Sequence, residues 1–250
     1  MLLEARGIVK MFGSFRAVDG ADLTLAENEL IGLIGPNGAG KSTFFNCLAG
    51  EARPTQGTIR FRGEDVTSLS SAAHTRLGLA RTFQVPVVFE GMSVRENVMV
   101  GAFLRHPARR RAEEKADEVL EFTGLAAQAE MRATALGTAG RKRLGIARAL
   151  ATEPILLLLD EALAGLTSVE MEGAIALVER IHARGITIVV VEHIMEVIHR
   201  LSRRVLVFNQ GRVIAEGAPA DVTRDPAVIE AYLGRRAQGR PKSRGESHAP

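Results

Sequence analysis

The sequence predicts an α/β fold in which antiparallel N-terminal strands flank a largely parallel core sheet and an α-helical subdomain is inserted into that core. Three observations carry this. Apolar runs at 30–34, 155–159 and 186–191 alternate with segments of helical spacing, the pattern of parallel strands joined by helices. A glycine-rich stretch separates the first run from a helical segment. From about residue 85 to 152 the strand pattern stops and helical spacing alone remains.

In chain order, strands are expected at 2–10, 22–26, 30–34 and 58–61, around a helix at 41–49. Arg81-Thr82-Phe83-Gln84 closes the last core strand before the insert, placing a flexible amide at the junction of the two parts. Within the insert, helices are expected at 93–102, 109–123 and 141–151. Strands then return at 155–159, 186–191, 204–209 and 212–216.

The glycine-rich stretch is Gly35-Pro36-Asn37-Gly38-Ala39-Gly40-Lys41-Ser42, which fits G-x-x-x-x-G-K-[ST] between a strand and a helix. That context defines a P-loop NTPase core. Gly35, Gly38 and Gly40 let the backbone turn its N–H groups towards a β-phosphate. Lys41 reaches the β- and γ-phosphates, and the Ser42 hydroxyl is placed to ligate Mg²⁺. The helix beginning at Lys41 presents its N-terminal amides to the same anion.

Composition sets outer limits. The 250 residues are 46% hydrophobic, and the apolar runs are far shorter than the roughly 20 residues that a membrane helix needs. Residues 1–6 lack a basic segment followed by a long apolar one, so no secretory signal is expected. Cys47 is the single cysteine, which excludes a disulfide within the chain and suits a packing role. Arg235, Arg236, Arg240, Lys242 and Arg244 against Glu246 give residues 235–250 a net +4, leaving −1 on the rest of a +3 chain. The basicity therefore belongs to a tail that is expected to be disordered, following a single domain over 1–234.

Five apolar residues, 155–159, end in Asp160-Glu161. Behind a P-loop, Asp160 is the expected partner of Mg²⁺ and Glu161 points at the water that attacks the γ-phosphate. Another apolar run ends in Glu192-His193. A lone histidine there is more often structural; a P-loop and an acidic strand end upstream turn His193 into a catalytic candidate.

The order P-loop, glutamine junction, helical insert, acidic strand end and histidine, over residues 2–234, resembles the ATP-binding subunits of ABC transporters. The resemblance implies ATP and Mg²⁺ as cofactors, with Gly35 to Thr43 around the phosphates. It implies that Phe12, in Lys10-Met11-Phe12-Gly13, stacks on adenine and that Gln84 links the Mg²⁺ site to the membrane subunit. It implies also that His193 contacts the γ-phosphate. Within the family, residues 34–50 and Arg81 to Gln84 are similar to the branched-chain amino acid importer group. So are Met92-Ser93-Val94-Arg95-Glu96-Asn97-Val98 and Glu230-Ala231-Tyr232-Leu233-Gly234. Such importers use two different ATPase subunits, and the Arg-Thr-Phe-Gln form suits the one with the longer helical insert.

Implied partners are a second ATPase subunit, transmembrane permease subunits met near residues 85–100, and an external substrate-binding protein reached through them. The implied location is the cytoplasmic face of the membrane, and no nucleic acid is expected. Alternatives in the same family are an ATPase for lipid or lipopolysaccharide export and a soluble non-transport ATPase.

Two stretches depart from the family pattern. The signature, usually Leu-Ser-Gly-Gly-Gln, reads Leu136-Gly137-Thr138-Ala139-Gly140. Glycine at 137 removes a serine hydroxyl whose bond to a γ-phosphate is worth about 1.5–3 kcal/mol. Amides of a helix starting near Gly140, with Arg141, Lys142 and Arg143, retain some phosphate affinity. After Glu161, Ala162-Leu163-Ala164-Gly165-Leu166-Thr167 replaces the usual Pro-x-Ser-Ala-Leu-Asp. Because a signature serves the ATP held by the opposite subunit, the chain is expected to pair with a different ATPase subunit, one strong site lying here and a weaker one on the partner.

Overall fold

The computed structural model of the chain describes residues 1–84 and 87–237, the last five as backbone only. Strands β1 (Leu3–Phe12) and β2 (Phe15–Leu25) form a hairpin, and β3 (Leu30–Ile34) leads through the glycine-rich loop into α1 (Lys41–Leu48). Then β4 (Gln56–Phe61) and β5 (Glu64–Asp65) return to the hairpin, completing an antiparallel sheet in the order β2-β1-β4-β5. After α2 (Ser71–Leu77) and β6 (Leu79–Arg81) the chain enters the insert: α3 (Val94–Ala102), α4 (Arg109–Thr123), two short 3-10 turns and α5 (Thr138–Leu150).

The core resumes with β7 (Leu156–Asp160), α6 (Ser168–Ala183), β8 (Thr187–Val191), α7 (Met195–Leu201), β9 (Arg204–Asn209) and β10 (Arg212–Gly217). Two helices, α8 (Pro219–Val222) and α9 (Pro226–Ala237), follow. The second sheet runs β10-β9-β3-β8-β7-β6, parallel except for the edge pair β9 and β10. Every residue of β3, β7 and β8 is buried, which is why these strands read as unbroken apolar runs. The architecture is the α/β core with antiparallel N-terminal strands and a helical insert that the sequence predicts.

Three differences from the expected elements have physical causes. Strand β2 begins at Phe15, seven residues earlier than the periodicity shows. Arg16, Asp19 and Gly20 break the apolar alternation, yet the hairpin zips up to the facing pair Phe12 and Phe15 across a two-residue turn. Gly13 takes φ 59° at the first turn position, where a tight hairpin favours glycine. Helix α5 starts at Thr138, not near Gly140, because Gly137 is extended (φ −67°, ψ 176°) and acts as its N-cap. Helix α9 carries the backbone to Ala237, so the first three residues of the expected tail are helical, and residues 238–250 lie outside the described residues.

Two apolar clusters hold the sheet between them. One face packs on α1 and the antiparallel sheet through Phe44, Phe45 and Phe208, with the Phe44 and Phe208 rings 5.1 Å apart. The other face packs on α6, α7 and the insert through Leu157, Ile175, Ile188 and Leu144. Among the described residues no helix is long and apolar enough to cross a membrane. Parallel register aligns Asp160 with Val191 and Val191 with Leu33, so the residues that follow β3, β7 and β8 emerge at one sheet edge.

Candidate functional site

The loop after β3 is moulded against β9 and β2. A Cβ on Gly35 (φ 143°) would lie 2.1 Å from the Phe208 carbonyl oxygen, and one on Gly40 (φ 102°) 2.4 Å from that of Ala17. Only glycine fits at either position. Gly211, in the turn between β9 and β10, donates its N–H to the Ala39 oxygen at 2.8 Å and pins the loop from the far side. Gly40 caps α1 with no side-chain hydrogen bond and no acidic residue follows in the first turn, so no side chain of the cap or first turn supplies a negative charge in place of an anion at this helix end. Lys41, 7% exposed, reaches back across the loop, its Nζ donating to the oxygens of Gly35 at 2.7 Å and Pro36 at 3.1 Å.

A cavity of about 670 Å³ lies over this loop. Gly35 through Thr43, Gln84, Glu161 and His193 line it, so residues far apart in the chain meet around one cavity. Gln84 Nε2 donates to Glu161 Oε2 at 2.6 Å. Glu161 itself has φ 46°, an unusual backbone for a residue with a side chain, at the turn that follows β7. His193 stands exposed just beyond β8.

Asp160 is 4% exposed and is held by Arg81, whose Nη2 donates to Oδ2 at 2.8 Å. The same guanidinium bonds Asn46 Oδ1 at 2.7 Å and pairs with Glu51 at 2.8 Å. Burial pushes the Asp160 carboxyl above the usual carboxylate range, and the Arg81 charge opposes that rise only in part. Arg81 is thus a site residue that its position in Arg81-Thr82-Phe83-Gln84 marks only in hindsight; spacing gave no sign of a contact 79 residues away.

The structure does not bring Phe12 to the cavity. Phe12 is 55% exposed at the end of β1, with Lys10 Nζ 5.2 Å from its ring centre. Its cross-strand partner Phe15, 64% exposed, lines the cavity instead. Tyr232 of α9, the only tyrosine in the chain, lines it as well. Burial raises its phenol, while the Gly35 N–H pulls the other way.

Leu136, Gly137, Thr138, Ala139 and Gly140 lie outside the cavity, at the open N-terminus of α5. Of the neighbouring cations, Arg141 is turned inward, donating to the oxygens of Leu136 at 2.8 Å and Thr134 at 2.7 Å. Lys142 Nζ donates to the Glu161 oxygen at 2.8 Å. The charge that the sequence offers to a phosphate at this helix end is therefore largely engaged with the chain's own backbone.

A second cavity, about 400 Å³, separates the core from the insert and is lined by Arg81, Phe83, Val87, Val100 and Leu104. Phe83, Val87, Phe89 and Phe103 are exposed nearby. Val85 and Pro86, in the segment expected to meet a membrane subunit, lie outside the described residues. Cys47 is 1% exposed and burial pushes its thiol up to about 11, which fits packing. His74, 2% exposed, bridges the oxygens of Leu48 and Val66, again a packing role.

Comparison with known proteins bears on this geometry. A family model described as "ABC transporter" matches residues 18–164, and one described as "Branched-chain amino acid ATP-binding cassette transporter" matches residues 212–238. The high-affinity branched-chain amino acid transport ATP-binding protein LivG of Salmonella typhimurium is 39% identical, over 93% of this chain and 98% of its own length. BraF of Pseudomonas aeruginosa, described in the same words, is 37% identical over the same shares. Among solved structures, a nucleotide-free ATP-binding cassette from an ABC transporter superposes with TM-score 0.85 at 30% identity, covering 92% of this chain and 98% of that one. A structure described as the ADP conformation of an ATP-binding cassette of an ABC transporter gives TM-score 0.84 at 31% identity, covering 93% of this chain and 98% of that one.

Proposed function

Because this chain belongs to the ABC transporter family, as an ATP-binding subunit, we propose that it hydrolyses ATP to drive an importer for branched-chain or related amino acids. The observation that carries the reading is the convergence of Lys41, Ser42, Gln84, Glu161 and His193 on one cavity large enough for a nucleoside triphosphate. The relatives matched over nearly their whole length are named for branched-chain amino acid transport, and residues 212–238 match the same group. Lipid export and soluble non-transport roles are not favoured.

In this reading the loop amides and Lys41 bind the β- and γ-phosphates, and the aromatic face of the hairpin, Phe15 with Phe12 beside it, takes the adenine. Glu161 orients the attacking water while Gln84 holds its carboxylate. Lys41 and His193 stabilise the charge that grows on the γ-phosphate. The donors near the phosphates, the Ser42 hydroxyl, the Gln84 amide oxygen and the Asp160 carboxylate, are hard oxygens that suit Mg²⁺. Among the described residues no three or more His, Cys, Asp or Glu side chains cluster to hold a metal, so phosphate oxygens and water would complete the ion's shell. Bound there, Mg²⁺ neutralises phosphate charge.

The remaining partners follow from the same reading. A second ATPase subunit, with an intact signature, covers this chain's nucleotide, and the N-terminus of α5 covers the partner's. The exposed apolar surface of Phe83, Val87, Phe89 and Phe103 beside the second cavity receives a permease subunit at the cytoplasmic face, and a binding protein delivers substrate from outside. Sedimentation of the Glu161→Gln variant with and without ATP and Mg²⁺ tests the pairing. A persistent monomer that binds ATP is the expected result. An ATP-dependent homodimer would show that the altered signature closes over nucleotide without a second subunit.

A further inference from the structure

The turn that carries Glu161 is gripped from outside by two side chains that the reaction scheme does not use, one half-buried and one buried. Its own bonds are few: the Glu161 N–H donates to the Val191 oxygen at 3.0 Å, and Ala164 N–H reaches the Glu161 oxygen at 3.3 Å. The first outside grip is Lys142 on α5, whose ammonium donates to that same Glu161 oxygen at 2.8 Å. The second is Glu192, immediately after β8, whose Oε1 accepts from the Leu163 N–H at 2.9 Å.

Glu192 is 1% exposed, and its Oε2 has no hydrogen-bond partner among the described residues. A buried carboxyl left half satisfied is costly, and an apolar residue at that position would avoid the cost. Burial raises the Glu192 carboxyl; the Leu163 N–H and then the charge of Lys142 and the His193 N–H oppose the rise in part, while Glu161 adds to it. Lys142 is itself desolvated and drawn back by Glu192 and Glu161. Acid and base are thus kept close to the turn at a cost in desolvation, and both of their hydrogen bonds go to its backbone. The left-handed backbone of Glu161 persists only where its surroundings hold it.

The position of Lys142 gives this brace its meaning. Lys142 lies in the second turn of α5, five residues from the extended Gly137 that opens the helix. We propose that Lys142 and Glu192 are positioning residues that lock the Glu161 turn to α5. The carboxylate that serves this chain's nucleotide and the helix end that serves the facing subunit's nucleotide then move as one body. The inference rests on the ATPase reading above and adds to it a mechanical link between the two half-sites that one chain supplies.

The test compares Lys142→Met and Glu192→Leu with the conservative changes Lys142→Arg and Glu192→Gln in the full chain. Affinity and stoichiometry for a fluorescent ATP analogue should stay within twofold of the parent in all four. Turnover per bound nucleotide should fall at least tenfold in the first pair, with KM for ATP within twofold, and remain within threefold in the second. Amide exchange at Leu163 and Ala164 gives a reading that needs no turnover: it should rise at least tenfold in Lys142→Met while the amides of residues 38–43 keep their protection. Unchanged turnover and exchange in the first pair, or equal losses in both pairs, overturns the brace. Failure of the parent chain to bind the analogue overturns the ATPase reading instead.

Discussion

Gln84 and Glu161, 77 residues apart in the chain, are joined by a 2.6 Å hydrogen bond between the amide nitrogen of one and the carboxylate of the other. One end of this bond lies where the chain leaves the core for the insert, and the other lies at the carboxylate proposed to aim the water. A displacement at this junction therefore reaches the Glu161 carboxylate directly, beside the backbone contact that Lys142 makes from α5.

Glu161→Gln retains nucleotide binding and loses about 10²–10⁴ in turnover, the range for removal of a general base. Parallel measurements of equilibrium binding and phosphate release check this, and turnover at the parental rate would remove Glu161 from the role.

Gln84→Ala frees the carboxylate without removing it. A hydrogen bond to a charged group is worth about 1.5–3 kcal/mol, so turnover falls by roughly tenfold or more while ATP affinity changes little. A change confined to affinity would place Gln84 in binding alone.

The hairpin aromatics separate by position. Base stacking on an aromatic ring is worth about 1–3 kcal/mol, so Phe15→Ala weakens ATP binding at least fivefold and Phe12→Ala less than twofold, read by titration calorimetry. The opposite order would return the stacking role to Phe12.

Glu192 gives a pH signature of stability. Burial pushes its carboxyl up to about 7 from an unfolded value of 4.5, so the folded state holds this proton more tightly. Its contribution is most favourable below pH 4.5 and is lost as pH rises to about 7, by about 3 kcal/mol at full ionisation. Glu192→Gln keeps an acceptor for Leu163 and removes the titration. The denaturation midpoints of parent and variant converge near pH 4.5 and separate up to pH 8, with the variant more stable; a constant gap would show that Glu192 does not titrate there.

Gly137→Ser restores a hydroxyl at the N-cap of α5. Between glycine and serine at such a cap the stability change is only a few tenths of a kcal/mol, but ATP-dependent self-association in a Glu161→Gln background should strengthen about tenfold or more. Sedimentation equilibrium measures it, and unaltered association would mean that the hydroxyl is not what this signature lacks.

The residues legible in the sequence are those whose chemistry is local. Gly35 to Ser42 identify themselves by spacing, and Asp160 and Glu161 by ending a run of five apolar residues. Phe15 was missed because polar residues on β2 hid the strand, although pairing with β1 holds it in register. The contacts of Arg81 with Asp160 and of Lys142 with the Glu161 turn are not legible in the sequence, because long flexible cations carry no periodic signal. Their partners Asp160 and Glu161 lie 79 and 19 residues away; the pairing of β6 with β7 brings Arg81 to the first, and the placing of α5 beside the turn after β7 brings Lys142 to the second. Helix α5 begins three residues before its expected start because glycine at its cap offers no side-chain signal.

The phosphate loop sits near the start of the chain, yet its shape is a cast of residues made much later: Gly35 is pressed against Phe208, and Ala39 is held by Gly211. During synthesis the motif emerges long before the surfaces that form it, so an N-terminal fragment ending before β9 carries the full signature of a nucleotide site without its geometry. Affinity for ATP is thereby acquired at the end of translation, and a subunit able to grip nucleotide is one whose last core strands are already in place.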